Sequence, residues 1–281
     1  PYDTPAAHKR RIPELERGIG LHIPSHTAGS ASELNDFRRN AHAISDKEVR
    51  SMTEEPNHLP EQSGDQSAQR LYDLGAALVE SQRGSVYCLT IIGQVEGHSV
   101  APNNTKTTKY EHVLPLLAHL EQSEEVDGVL LLLNTVGGDI EAGLAIAELA
   151  AGMTKPVVTL VLGGGHSIGV PLAVCGKETF IAPTASMTVH PVRMSGTVIA
   201  APETYRYFER LQERIIQFVA ANSRVTAERF RELMLSSGDM ANDVGTVLYG
   251  EQAVAEGIID RIGTLGDALE ALYGQIERRH G

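Results

Sequence analysis

From Gly84 onward the apolar positions fall into short, dense runs broken by glycine and proline, and most runs are followed by a stretch of helical period. The run 85–92 predicts a strand, and Val113, Leu114, Leu117 and Leu120 share one face of a following helix. Asp127-Gly128 marks a turn. Residues 129–133 are apolar at every position, the pattern of a strand covered on both faces. Gly137-Gly138 then opens a helix carrying Ile140, Leu144, Ile146 and Leu149. Pro156 precedes a third apolar run, 157–162, which breaks into a glycine turn, Gly163-Gly164-Gly165-His166-Ser167-Ile168-Gly169, with a small-residue segment behind it. Short strands are expected at 179–182 and 186–189. A long helix from Pro202 to about Asn222 carries Tyr205, Phe208, Leu211, Ile215, Ile216 and Val219 along one face. Thr226 caps the next helix. A short helix at 252–256, a strand at 258–262 and a terminal helix at 265–276 complete the pattern. Repeated strand–helix units with glycines at strand ends predict an α/β fold whose functional loops follow the strands.

Residues 1–82 lack this pattern. They hold Pro5, Pro13, Pro24, Pro56 and Pro60, mixed charge and no sustained apolar period, which predicts a low-order N-terminal tail. Short helices are expected there around 31–40 and 69–82. His8, His22, His26, His42 and His58 lie in this tail, at spacings that match no metal motif. The folded domain is expected over 83–276, a suitable share of a 281-residue chain for one domain plus an appendage. A formal net charge of −12 argues against a nucleic-acid binder, which would carry a basic stripe. Cys88 and Cys175 both sit in apolar runs and are read as buried free thiols, in keeping with a cytoplasmic protein. No run approaches the ~18 apolar residues of a membrane span. No cofactor or metal is expected.

The chemistry concentrates at two turns. Ser167 stands where a helix begins, so backbone N–H groups favour negative charge beside it. His190 ends the run Ala185-Ser186-Met187-Thr188-Val189. A serine hydroxyl needs a base within hydrogen-bond reach, and histidine is the usual one. The turn Asn134-Thr135-Val136-Gly137-Gly138-Asp139 holds the same position after its own strand. Its bare backbone could supply an oxyanion donor, with the Ile168 amide as the second. Each part alone has a bland reading. Gly137-Gly138 could simply make a tight turn, His190 could be structural, and Gly165-His166-Ser167-Ile168-Gly169 is a short G-x-S-x-G pattern that recurs by chance. Gly163-x-Gly165 also suggests a dinucleotide turn, but Gly169 falls one residue late and no acidic residue ends a strand further on. Serine and histidine on turns after neighbouring strands point together to a serine hydrolase.

Over about residues 84–272 the chain resembles the ClpP-type serine peptidase family. The matching pieces are Gly93-Gln94-Val95-Glu96-Gly97-His98, the 134–139 turn, the Ser167 turn, Met187-Thr188-Val189-His190-Pro191, and the segment from Gly250-Glu251-Gln252-Ala253 to Gly257-Ile258-Ile259-Asp260. Within the family it is most similar to the translocation-enhancing, TepA-type branch, through Asn134-Thr135-Val136-Gly137-Gly138, Gly163 to Pro171 and His190-Pro191-Val192-Arg193. The resemblance implies a ClpP/crotonase-like fold of repeated strand-strand-helix units with a long handle-like helix. It implies Ser167 as nucleophile, His190 as general base, and Gly137 or Gly138 with Ile168 as the oxyanion hole. An ungapped alignment puts Gly245 at the family's aspartate, so the third member of the triad is expected at Asp243, two residues away, with Asp239 the alternative. It further implies stacked homo-oligomeric rings, a peptide or protein substrate, and an ATP-driven unfoldase as an open option.

Three rivals share parts of this pattern. An α/β-hydrolase would place its histidine late, after the acid. A crotonase-type acyl-CoA enzyme would not need both Ser167 and His190. A Ser–Lys dyad would need a lysine at an active-site turn. His166 as a second base is disfavoured, since a side chain next to the nucleophile would point away. A catalytically weak scaffold or adaptor on the same fold is the non-enzyme reading.

Overall fold

A computed structural model describes residues 76–193, 200–237 and 244–281, all within one compact unit. The helix expected at 31–40 and both candidate aspartates, Asp239 and Asp243, lie outside the described residues.

The strands are β1 (Ala76–Ser81), β2 (Gly84–Glu96), β3 (Thr107–Lys109), β4 (Gly128–Gly138), β5 (Val157–Gly165), β6 (Glu178–Ile181), β7 (Ser186–Val189), β8 (Thr246–Tyr249) and β9 (Arg261–Ile262). The helices are α1 (Tyr110–Gln122), α2 (Ile140–Ala151), α3 (Gly169–Val174), α4 (Ala201–Ala221), α5 (Ala227–Leu235), α6 (Gly250–Ala255) and α7 (Leu265–His280). The main sheet runs β1-β2-β4-β5-β6-β9, parallel from β2 onward, and β7 leaves it to pair antiparallel with β8.

The all-apolar strands are covered on both sides, as their composition requires. On one face Val86, Leu130, Val158 and Leu160 pack against Ala268, Leu272 and Ile276 of α7. On the other, Leu89, Ile91, Leu131, Leu133 and Val161 meet the buried faces of α1, α2 and α3. Each such side chain removed from water contributes about 1.5–3 kcal/mol. Thr226 caps α5 as expected, its hydroxyl accepting from the Arg229 amide at 3.1 Å.

Several elements differ from the pattern-based reading. Residues 69–82 read as tail with a short helix, yet Ala76–Ser81 is an edge strand pairing with β2. Backbone pairing outweighed weak local helical preference there. Gly137-Gly138 ends β4 rather than opening a helix, and α2 starts behind an Asp139 cap whose carboxylate accepts from the Ala142 amide at 2.9 Å. Gly163 to Gly165 likewise continue β5. Only Arg261–Ile262 of the run 258–262 is strand. In α4 the expected stripe divides: Leu211, Ile215, Ile216 and Val219 are buried and Phe208 is half-buried, whereas Tyr205 is exposed, as is Tyr207 outside the stripe. Cys175 is buried and Cys88 half-buried, both as free thiols.

Candidate active site

The carboxyl ends of β4 and β5 lie side by side, Thr135 pairing with Gly165. The turns that follow them therefore face one another, and β7 joins β5 there through a single bridge, Gly164 to Ser186. Ser167 sits just past β5 in the left-handed region, at φ 58°. For a residue with a Cβ this conformation costs about 1–2 kcal/mol. It persists because the turn is tied down on several sides. The Ser167 amide donates to the Thr188 carbonyl at 2.8 Å, the His166 amide to the Thr135 carbonyl at 3.2 Å, and the Gly169 amide to the His166 carbonyl at 2.8 Å. A strained serine on a sharp strand-to-helix turn is the geometry of a nucleophile elbow.

Gly137 and Gly138 differ in what their amides do. The Gly137 amide donates to Thr135 Oγ1 at 3.1 Å, and that hydroxyl donates to the Gly93 carbonyl at 2.6 Å. The Asp139 amide donates to the Val95 carbonyl on β2 at 2.9 Å. Backbone N–H groups alternate sides along a strand, so the Gly138 amide between these two is directed away from β2. Both glycines have positive φ, 91° and 152°. Gly137 also closes on the serine, since a Cβ there would stand 2.7 Å from Ser167 Cβ.

Gly138, Ser167, Ile168 and His190 line one cavity of about 200 Å³. Its remaining wall is mostly apolar, from Ile140, Val192, Ile215, Phe230 and Met234, with Arg193 also lining it. Arg193 extends to a second cleft beside Glu96, Gly97 and Asp139. His190 Nδ1 lies 2.7 Å from the Pro191 carbonyl. A carbonyl only accepts, so this contact holds the proton on Nδ1 and leaves the Nε2 lone pair available. The structure thus brings together Ser167, His190, Gly138 and Ile168, and engages the Gly137 amide elsewhere. Among the described residues no cluster of His, Cys, Asp or Glu is arranged to hold a metal ion. Burial pushes the Cys175 thiol up to about 12, so it stays protonated and takes no part in chemistry at neutral pH.

His166 is not among the residues lining the Ser167 cavity, and its Nδ1 lies 2.8 Å from Thr188 Oγ1, a contact that sequence reasoning missed. Burial first, and then the neighbouring His190, push its pKa below the ordinary 6.5. A usable signal was present: Thr188 lies two positions before His190, on the strand that leads to it. The depressed value carries a stability consequence. Between the folded and unfolded pKa values the unfolded chain binds the extra proton, so stability falls as pH drops below about 6.5. His166→Gln removes that contribution. Thermal melts between pH 7.5 and 5 should show a smaller loss of Tm for H166Q than for wild type.

Residues 86–265 match the family model described as Clp protease. The chain belongs to this family. Its fold is therefore the ClpP-like α/β fold implied by the motifs, with α4 as the long helix. The same match sets aside the α/β-hydrolase and crotonase-type readings. Translocation-enhancing protein TepA of Halalkalibacterium halodurans is 49% identical over 223 residues, covering 78% of this chain and 87% of that protein. More distant relatives carry the protease name. ATP-dependent Clp protease proteolytic subunit 1 of Protochlamydia amoebophila is 25% identical, over 53% of this chain and 72% of its own length. The ATP-dependent Clp protease proteolytic subunit of Streptococcus gordonii is 27% identical, over 53% of this chain and 76% of its own. Membership supports a peptidase.

Proposed function

We propose that this chain is a serine-type endopeptidase that hydrolyses peptide bonds through Ser167, His190 and Asp243 from within a homo-oligomeric ring. The observation that carries the reading is the shared cavity, which His190 and a conformationally strained Ser167 line together with Gly138 and Ile168. Ser167 Oγ attacks the scissile carbonyl as His190 Nε2 takes its proton. The tetrahedral oxyanion receives hydrogen bonds from the Gly138 and Ile168 amides. Gly138 rather than Gly137 fills this role because the Gly137 amide is engaged by Thr135. The C–N bond then breaks and His190 returns its proton to the leaving amine. Water, activated by the same imidazole, hydrolyses the acyl ester and restores Ser167. The apolar wall accommodates an apolar side chain next to the scissile bond.

Asp243 orients His190 in this reading, with Asp239 the competitor. Asp243→Asn should lower kcat by about 10⁴-fold, the scale of losing a triad carboxylate, while Asp239→Asn leaves kcat near wild type. Kinetics on a short fluorogenic peptide decide it, and the reverse pattern would assign Asp239.

The ring is supported by the exposed aromatic end of α4, where Tyr205 and Tyr207 stand clear of the chain's own core. Among the described residues no helix is long and apolar enough to cross a membrane, and the place of action proposed is the cytoplasm. An ATP-driven unfoldase, a partner suggested by the ATP-dependent relatives, would act as a separate chain.

A second reading is a catalytically weak scaffold serving protein translocation. It is favoured by the Pro191 carbonyl, which occupies the His190 nitrogen that a triad acid would address, and by the name of the 49%-identical relative. A fluorophosphonate probe separates the two. One adduct on Ser167 supports the peptidase; none on folded, assembled protein supports the scaffold.

A further inference from the structure

The nucleophile and the base stand on separate segments that share little backbone pairing. β5 and β7 are joined by one bridge, Gly164 to Ser186, and beyond it the chain diverges into the Ser167 turn on one side and toward His190 on the other. Two hydrogen bonds span the gap, and both end on Thr188. Its carbonyl accepts from the Ser167 amide at 2.8 Å, and its hydroxyl pairs with His166 Nδ1 at 2.8 Å. Thr188 is thus fastened to the residue that carries the nucleophile and to the one before it. It lies on β7 two positions before His190, which follows the strand's last residue, Val189.

The rest of the turn makes room for this contact. A Cβ at Gly164 would stand 2.6 Å from His166 Nε2, and one at Gly163 would stand 2.5 Å from Asn134 Oδ1. The glycine run here serves the packing of two side chains, and none of its three members has positive φ. The imidazole is half-buried and disfavours a charge beside His190.

We infer that His166 is a positioning residue: paired with the Thr188 hydroxyl, it latches the serine turn onto the strand that delivers His190 and fixes the distance between nucleophile and base. The inference rests on the serine-hydrolase reading above. It assigns His166 no proton transfer with substrate. A latch of this kind acts on the approach of Ser167 to His190, so its loss should appear in kcat and in serine reactivity and leave KM largely unchanged. Misplacement by about 1 Å costs on the order of 10²-fold in rate.

The test follows the rate of Ser167 acylation by a fluorophosphonate, read by intact mass, with kcat and KM on a fluorogenic peptide and Tm for each protein. Thr188→Val and His166→Gln should each slow acylation and lower kcat by about 10- to 100-fold, with KM within about twofold. Thr188→Ser, which keeps the hydroxyl, should stay within about threefold of wild type. The double variant should be no slower than the slower single one, because both break the same bond. If wild type is acylated and Thr188→Val and His166→Gln react as fast, the latch is overturned and the hydrolase reading stands. Additive losses in the double variant would overturn it too. Absence of any wild-type adduct would overturn the hydrolase reading and the latch with it.

Discussion

Ser167→Ala is expected to remove peptide hydrolysis almost completely, by about 10⁶-fold in kcat, the scale seen when a serine nucleophile is deleted. Little else should change. The methyl group keeps the Cβ that packs beside Gly137, and the backbone bonds from the Ser167 and His166 amides to the Thr188 and Thr135 carbonyls do not involve the hydroxyl. Alanine tolerates φ 58° about as poorly as serine does, so the strain is the same before and after. Tm and assembly size should therefore match wild type. His190→Ala should cost nearly as much, and Ser167→Ala/His190→Ala hardly more than either, because nucleophile and base act as one unit. Activity on a fluorogenic peptide, with size-exclusion chromatography and thermal melts, checks all three. Substantial hydrolysis by Ser167→Ala would sink the assignment.

Gly138→Ala should damage activity heavily, and unlike Ser167→Ala it should also destabilise the fold. A Cβ at this position would overlap the Val95 carbonyl of β2, which is backbone and has nowhere to move. The φ of 152° is also one that side-chain-bearing residues rarely adopt. Such strain costs of order 1–3 kcal/mol. Relief requires the end of β4 to swing from β2, which carries the Gly138 amide out of the cavity. Loss of one oxyanion donor alone lowers kcat by about 10²–10³-fold, and the displaced turn should add to that. Gly165→Ala is the matched control, at the end of the adjacent strand. The nearest atoms to its Cβ would belong to the Val161 and Met187 side chains, at 3.3 and 3.5 Å, and the change should be tolerated. Comparable kcat and Tm for Gly138→Ala and wild type would remove Gly138 from the oxyanion site.

These expectations draw on very different amounts of sequence information. The parallel core was legible because 129–133 and 157–162 are apolar at nearly every position, and only a sheet covered on both faces buries such a run. Ser167 and His190 were legible as a pair, since each stands just beyond a strand. The contacts that hold their turns in place were not. Three glycines before Ser167 read locally as a turn, while the fold uses them as strand residues that clear space for Asn134 and His166. β1 was missed because an edge strand is defined by the neighbour it pairs with, and Ala76–Ser81 has no strong pattern of its own.

The sequence by itself determined the α/β layering, the order of the core strands and helices, and the placing of Ser167 and His190 on turns after strands, because hydrophobic periodicity and turn chemistry are local properties. Only the tertiary structure decided which glycine amide is directed away from β2, that Thr135 engages the other, and that His166 meets Thr188 across two strands. Those outcomes depend on the relative placement of β2, β4, β5 and β7. Hydrogen-bond geometry to within a few tenths of an ångström is a property of that packing, which no window along the chain contains.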